Sequence, residues 1–146
     1  HGLIHITLHL ICLKKQTLSV IGFIALCKIL IVGMCPSDKP TLGFKRNATF
    51  RNLESWMDRL NIRHFSFINT FSFPGKPQLA NVDFNSLHEA CKSYPRVLAL
   101  GNFVSKALSK IEVRHYVLPH PSPLNRNLNH KWWVELMLED CKDYLK

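Results

Sequence analysis

The sequence predicts an α/β fold of three layers, α/β/α, built on a four-stranded parallel sheet. Three observations carry that expectation. Short apolar runs, with Ile29–Val32 and Arg96–Leu100 foremost, read as strands buried on both faces, as parallel strands are. Segments with apolar residues at helical spacing lie between them, and such alternation implies right-handed crossovers with helices on both faces. At 146 residues the chain is one domain, long enough to bury a core. The reading divides it into an N-terminal segment of open structure, 1–28, and a domain over 29–146.

The chain begins with His1, which reads as the start of a fragment or processed product. His5, Thr7 and His9 alternate with Ile4, Ile6, Leu8 and Leu10, a period-2 pattern that suits a strand. His1, His5 and His9 share one face of such a strand, but surface histidines are the plainer reading, and no metal is expected. Leu18–Cys27 is an apolar run of signal-peptide length. Lys28 interrupts it, a membrane helix needs about 20 nearly unbroken apolar residues, and residues 29–32 serve better as a strand. No membrane partner is expected.

After the strand Ile29–Val32, the segment from Gly33 to Pro40 is the loop at its carboxyl end, where open α/β sheets bind ligands. Residues 48–60 form a helix on Phe50, Leu53, Trp56, Met57 and Leu60, with Asn47 as its cap and Lys45, Arg46 and Arg51 near its start. A strand follows near His64–Phe71, with Asn69 toward its end. Asp83–Tyr94 is a helix, capped by Ser86 in a box with Glu89 or by Asp83. Arg96–Leu100 is the third strand. Gly101 and Asn102 then open a helix with Phe103, Val104, Ala107, Leu108 and Ile111. Val113–Leu118 is the fourth strand. Residues 129–145 make a last helix with Trp133, Leu136, Met137, Cys141, Tyr144 and Leu145 facing in.

Formal net charge is +9, which points to a polyanion, since Lys and Arg gain by releasing counterions from phosphates. A solvated basic surface is the plain alternative. The five cysteines, at 12, 27, 35, 91 and 141, include no C-x-x-C pair. That argues against a disulfide framework and against a cysteine-rich zinc or iron–sulfur site. A reducing interior, cytoplasmic or nucleoid-associated, is expected. With no P-loop, GxGxxG or HExxH present, no cofactor is expected.

Parallel topology puts the loops after the four strands on one edge, and so gathers Cys35, Asn69, Gly101, Asn102 and His120. The most informative loop is Leu118-Pro119-His120-Pro121-Ser122-Pro123-Leu124-Asn125-Arg126. Its prolines leave few conformations to lose, so an imidazole, a hydroxyl and a leucine are held in fixed relation. His120 suits general acid/base work, phosphate binding or donation to a developing anion; a surface turn histidine is the alternative. Asn69 presents a donor beside an acceptor, which suits the edge of a nucleobase, although strand-end turns also use asparagine. The helix start at Gly101 and Asn102 favours a phosphate, or is an ordinary turn. Ser122 suits a phosphate, and Leu124 a wedge in a base stack, although a single exposed leucine is usually inconsequential. Phe44 and Phe50 are candidates to stack on a base, with core packing the commoner use of Phe50.

Four motifs in order resemble the uracil-DNA glycosylase superfamily over about residues 29–146. Ile31-Val32-Gly33-Met34-Cys35-Pro36-Ser37 is similar to its first signature, a strand followed by Gly-x-x-Pro. Phe67-Ile68-Asn69 looks like the strand end that reads uracil. Ala99-Leu100-Gly101-Asn102 resembles the turn that holds a backbone phosphate. His120-Pro121-Ser122-Pro123-Leu124 matches the second signature closely. The resemblance implies a DNA glycosylase that hydrolyses the N-glycosidic bond of uracil or a related pyrimidine flipped out of DNA. On this likeness His120 donates to the uracil O2, and Asn69, Met34 and Phe50 line the base pocket. Gly101, Asn102, Ser122 and Arg126 take DNA phosphates, and Leu124 fills the gap left by the base. Cys35 stands where several branches place an Asp or Asn that positions water. A minimal, phage-like and monomeric member is implied, with a weakly active or inactive DNA-binding protein of the same fold as the alternative.

Overall fold

The computed structural model describes residues 9–12, 28–34, 48–71 and 78–146. Its strands are β1 (His9–Cys12), β2 (Ile29–Gly33), β3 (His64–Asn69), β4 (Arg96–Leu100) and β5 (Tyr116–Leu118). They form one sheet in the order β1-β3-β2-β4-β5. The four strands from β2 to β5 pair in parallel, as the apolar runs predict. β1 adds an antiparallel edge, with His9 opposite Phe67 and Cys12 opposite His64. The sheet therefore takes in part of the segment that the sequence reading set apart from the domain.

The helices are α1 (Ala48–Arg59), α2 (Phe84–Cys91), α3 (Asn102–Lys110) and α4 (Lys131–Leu145). Side chains alternate across the sheet, so each strand feeds two cores. Ile31, Phe65, Phe67, Leu98 and Leu118 pack with α1 and α4. Leu30, Val32, Ile68, Val97 and Ala99 pack with α2 and α3. Burial on both sides explains why β2 and β4 tolerate almost no polar residue.

Local chemistry sets the element ends. Asp83, rather than the Ser86–Glu89 box, caps α2: its carboxylate accepts from the Ser86 backbone N–H at 3.0 Å and hydroxyl at 2.7 Å. Helix α1 closes with Asn61 in the left-handed region, as its N–H bonds Asp58 O and that of Ile62 bonds Met57 O. Helix α3 closes the same way, with Glu112 at φ 57° and Val113 N–H bonded to Leu108 O. That closure is why β5 begins at Tyr116 and not at Val113. A second correction concerns Leu136, expected to face in. It is 63% exposed, because the inward stripe of α4 runs through Val134, Met137, Leu138 and Cys141.

No helix among the described residues is long and apolar enough to cross a membrane, and Ile29–Gly33 is strand. The expected Leu18–Cys27 run and the Asn47 cap lie outside the described residues.

Candidate functional site

The strand order reverses at the β2–β4 pair: β2 connects outward through α1 to β3, and β4 through α3 to β5. Helices α1 and α3 lie on opposite faces. The carboxyl ends of β2 and β4 therefore border the crevice where open α/β sheets bind ligands. Two glycines stand there, each beside a polar side chain from the next strand out.

On one side, Asn69 ends β3 opposite Gly33 of β2. A Cβ on Gly33 would meet Asn69 Oδ1 at 2.7 Å and Phe67 Cζ at 2.9 Å, so the carboxamide lies over the glycine. Among the described residues no hydrogen bond fixes that carboxamide, which leaves its donor and acceptor available. The turn beneath it is held by backbone: Gly33 O accepts from Thr70 N–H at 2.9 Å. Met34 O accepts from Phe71 N–H at 3.0 Å and from the Thr70 hydroxyl at 2.6 Å.

On the other side, Gly101 precedes α3 with φ 90°, a conformation that favours glycine, and its N–H bonds Leu118 O at 2.9 Å. A Cβ there would lie 3.9 Å from the His120 ring and Cβ. Gly101, Asn102, Leu118, Pro119, His120, Asn125, Asn127, Trp133 and Met137 line an open cleft of about 470 Å³.

The His120 loop is rigid for reasons beyond its prolines. Asn52 of α1 donates to Pro121 O at 2.8 Å, and Asn125 donates to His120 O at 3.2 Å. Asn125 Oδ1 in turn accepts from Asn127 N–H at 3.2 Å, at the start of the 3-10 turn Arg126–Asn129. The Ser122 hydroxyl accepts from Leu124 N–H at 3.2 Å, which leaves its own hydrogen to donate. Each such bond contributes on the order of 1 kcal/mol net.

The same loop sets the imidazole's state. The Ser122 backbone N–H donates to His120 Nδ1 at 3.2 Å. Only an unprotonated Nδ1 accepts, so the neutral ring carries its hydrogen on Nε2 and is a donor there. Partial desolvation lowers the His120 pKa from the usual histidine value. The ring still reaches solvent. Burial by loop and cleft wall on its other sides is the cause of the shift, and it opposes a cationic ring.

The structure brings together His120, Gly101 and Asn102 in the cleft, with Ser122 in the adjoining loop. Asn69 is near Gly33 at the other side of the crevice and does not line the cleft. Cys35 and Phe44 lie outside the described residues. Met34 is half-buried and packs with the α2–α3 side. Phe50, expected to stack on a base, is 4% exposed and sits in the α1–α4 core, so its ring is spent on packing. Leu124 is 90% exposed at the loop tip, and Arg126 is exposed beside it.

Sequence reasoning missed Asn52 and Asn125. Their partners are backbone carbonyls, and Asn52 lies 69 positions from Pro121, so spacing carries no signal of the pair. It also missed Ser105, whose hydroxyl bonds His115 Nε2 at 2.8 Å while His115 Nδ1 bonds Val113 O at 2.7 Å. That pair ties α3 to the approach to β5, and neither side chain lines the cleft. Cys91 is no nucleophile, since burial pushes its thiol up to about 11. No group of His, Cys, Asp or Glu among the described residues is arranged to hold a metal. Compared with known proteins, the sequence matches no family model and no curated protein.

Proposed function

We propose that the chain is a DNA glycosylase of the uracil-DNA glycosylase type, hydrolysing the N-glycosidic bond of uracil or a related pyrimidine flipped from DNA. The observation that carries the reading is the Ser122 N–H bond to His120 Nδ1, which leaves a neutral imidazole with a donor at Nε2. Bond cleavage puts negative charge on the departing base. A fixed neutral donor stabilises that charge as it forms without reorganising, and it contributes chiefly in the transition state.

The neighbouring groups fit the same reaction. Asn69 offers its carboxamide, which no hydrogen bond holds among the described residues, to the base edge, and the position of Met34 beside the β2 loop suits the pocket wall. Asn102, which follows Gly101 at the start of α3, offers its backbone N–H to a phosphate, joined by the Ser122 hydroxyl. Leu124, 90% exposed on a rigid tip, suits the wedge that fills an emptied stack. The formal charge of +9 favours DNA as partner, and the protein acts on it as a monomer.

The test is incubation with a uracil-containing oligonucleotide followed by alkaline strand cleavage. Appearance of the abasic product supports the reading, and its absence at high enzyme refutes it.

The second reading, a DNA-binding protein of weak or no activity, is favoured by Cys35, where a thiol stands in place of a water-positioning carboxylate or amide. Under the glycosylase reading Cys35→Asp raises the single-turnover rate, and Cys35→Ala changes it little. A large loss in Cys35→Ala would point to thiol chemistry instead.

A further inference from the structure

The acids of this chain are unevenly placed. None occurs between Val113 and Val134, a stretch that holds β5, the His120 loop, the 3-10 turn and the first turn of α4. Glu139, Asp140 and Asp143 lie in the later turns of α4. The end of that helix reaches the amino-terminal edge of the sheet, where Tyr144 Oη accepts from Val97 N–H and Lys146 O accepts from Arg96. Glu112 closes α3 at that same edge, and Glu135 is paired with Arg59. The loop edge thus presents Arg126, His130 and Lys131, all exposed, with no acid in their own stretch.

An aromatic side chain belongs to the same stretch. Trp133 lines the cleft, and the next residue back along α4 points about 100° away from it. That residue, Trp132, is 63% exposed, while Trp56 is buried and Trp133 partly so. The His130 ring lies 6.1 Å from it, centre to centre. An exposed indole costs solubility, and nothing in the core gains from it.

We propose that Trp132, with His130, is a stacking platform for an unpaired base of single-stranded DNA, with Arg126 and Lys131 as phosphate contacts. The proposal rests on the DNA reading above and names the form of DNA held beside the cleft. An aromatic face set among cations, free of acid in its stretch, matches a backbone of phosphates carrying unstacked bases. In a duplex those faces are already occupied by neighbouring bases. Leu136, 63% exposed one turn along α4, extends the apolar surface by a single side chain. The cations beside Trp132 favour a polyanion over a second copy of this basic chain.

The experiment uses a uracil-free, single-stranded oligothymidylate carrying a fluorescent label, at low salt. Binding quenches the intrinsic fluorescence of the wild type. By anisotropy of the label, Trp132→Ala binds the oligonucleotide about tenfold more weakly. Trp132→Phe retains most of the affinity, and affinity for blunt duplex changes little in either variant. Equal affinity of Trp132→Ala and wild type for the single strand overturns the proposal. So does a wild type that sediments as a dimer which Trp132→Ala converts to monomer, since the face then belongs to a second copy. Uracil excision by the wild type together with unchanged single-strand binding in Trp132→Ala removes the platform alone. Trp132-dependent binding without any excision removes the glycosylase reading alone.

Discussion

Gly33→Ala tests the packing on which one half of the site depends. The added methyl would lie 2.7 Å from Asn69 Oδ1 and 2.9 Å from Phe67 Cζ, well inside the ~3.5–4.0 Å optimum for such contacts. The two neighbours can yield to different degrees. Asn69 is half-buried, and among the described residues its carboxamide has no hydrogen bond to keep it, so it rotates away. The Phe67 ring is 7% exposed within the α1–α4 core and has little room to retreat. Overpacking of this kind costs about 1–3 kcal/mol. For a chain of this size that lowers the melting temperature by about 2–12 °C. Displacement of the carboxamide also erodes discrimination between uracil and cytosine. Thermal melts and single-turnover excision on both bases report the two effects. Phe67→Leu supplies the internal control, because trimming the ring should make Gly33→Ala less costly in that background than in the wild type. A Gly33→Ala protein that melts at the wild-type temperature with unchanged base preference would refute the argument.

Two further perturbations follow from the same geometry. His120→Ala lowers single-turnover excision by on the order of 10²–10³, as loss of an oxyanion donor does, and changes affinity for product-like DNA much less. Under the proposed function the neutral ring is the working form. With its folded pKa held below the ordinary value, excision stays flat through neutral pH and falls only as pH drops through that lowered value. A limb set by His120 at or above the ordinary histidine value of about 6.5 contradicts this. Stability carries the same sign. The unfolded chain protonates His120 first, so stability declines as pH falls below about 6.5, and in urea titrations the difference between wild type and His120→Ala should be constant above that pH and shift against the wild type below it. Asn69→Asp relaxes base choice toward cytosine, because a carboxylate accepts from the cytosine amino group. Unchanged preference at comparable activity would mean that Asn69 does not read the base.

The parts of this fold legible in the sequence are those where one physical requirement dominates. Ile29–Val32 and Arg96–Leu100 are buried on both faces, so their composition alone marks them as strands. The Pro119–Pro123 loop declares its stiffness residue by residue. Where two requirements compete, the pattern misleads. Val113 is β-branched and looks like strand, yet its N–H closes α3 and its side chain packs with the α2–α3 core. Leu136 sits at helical spacing from Trp132 and Trp133, and the true inward stripe is offset by about one residue, which turns it to solvent. Phe50 satisfies both a core pattern and an aromatic-stacking pattern; burial decides for the first. Contacts such as Asn52 with Pro121 are invisible to any local reading, because they exist only after the loop has been brought to α1.

The separation of Asn69 and His120 explains why the crevice is built on glycines. Their strands, β3 and β5, are three positions apart in the sheet, which is about 14 Å at the usual inter-strand spacing. A pyrimidine ring cannot bridge that distance. Neither side chain stands over its own strand, however. The Asn69 carboxamide lies over Gly33, one strand inward, and the His120 ring lies beside Gly101, also one strand inward. The gap that remains is that between β2 and β4, the pair at which the strand order reverses. A side chain at position 33 would push the carboxamide back toward β3, and Gly101 holds a φ of 90° that other residues rarely adopt. The two glycines therefore act on the site without touching a ligand: they let two distant strands offer polar groups toward the same crevice.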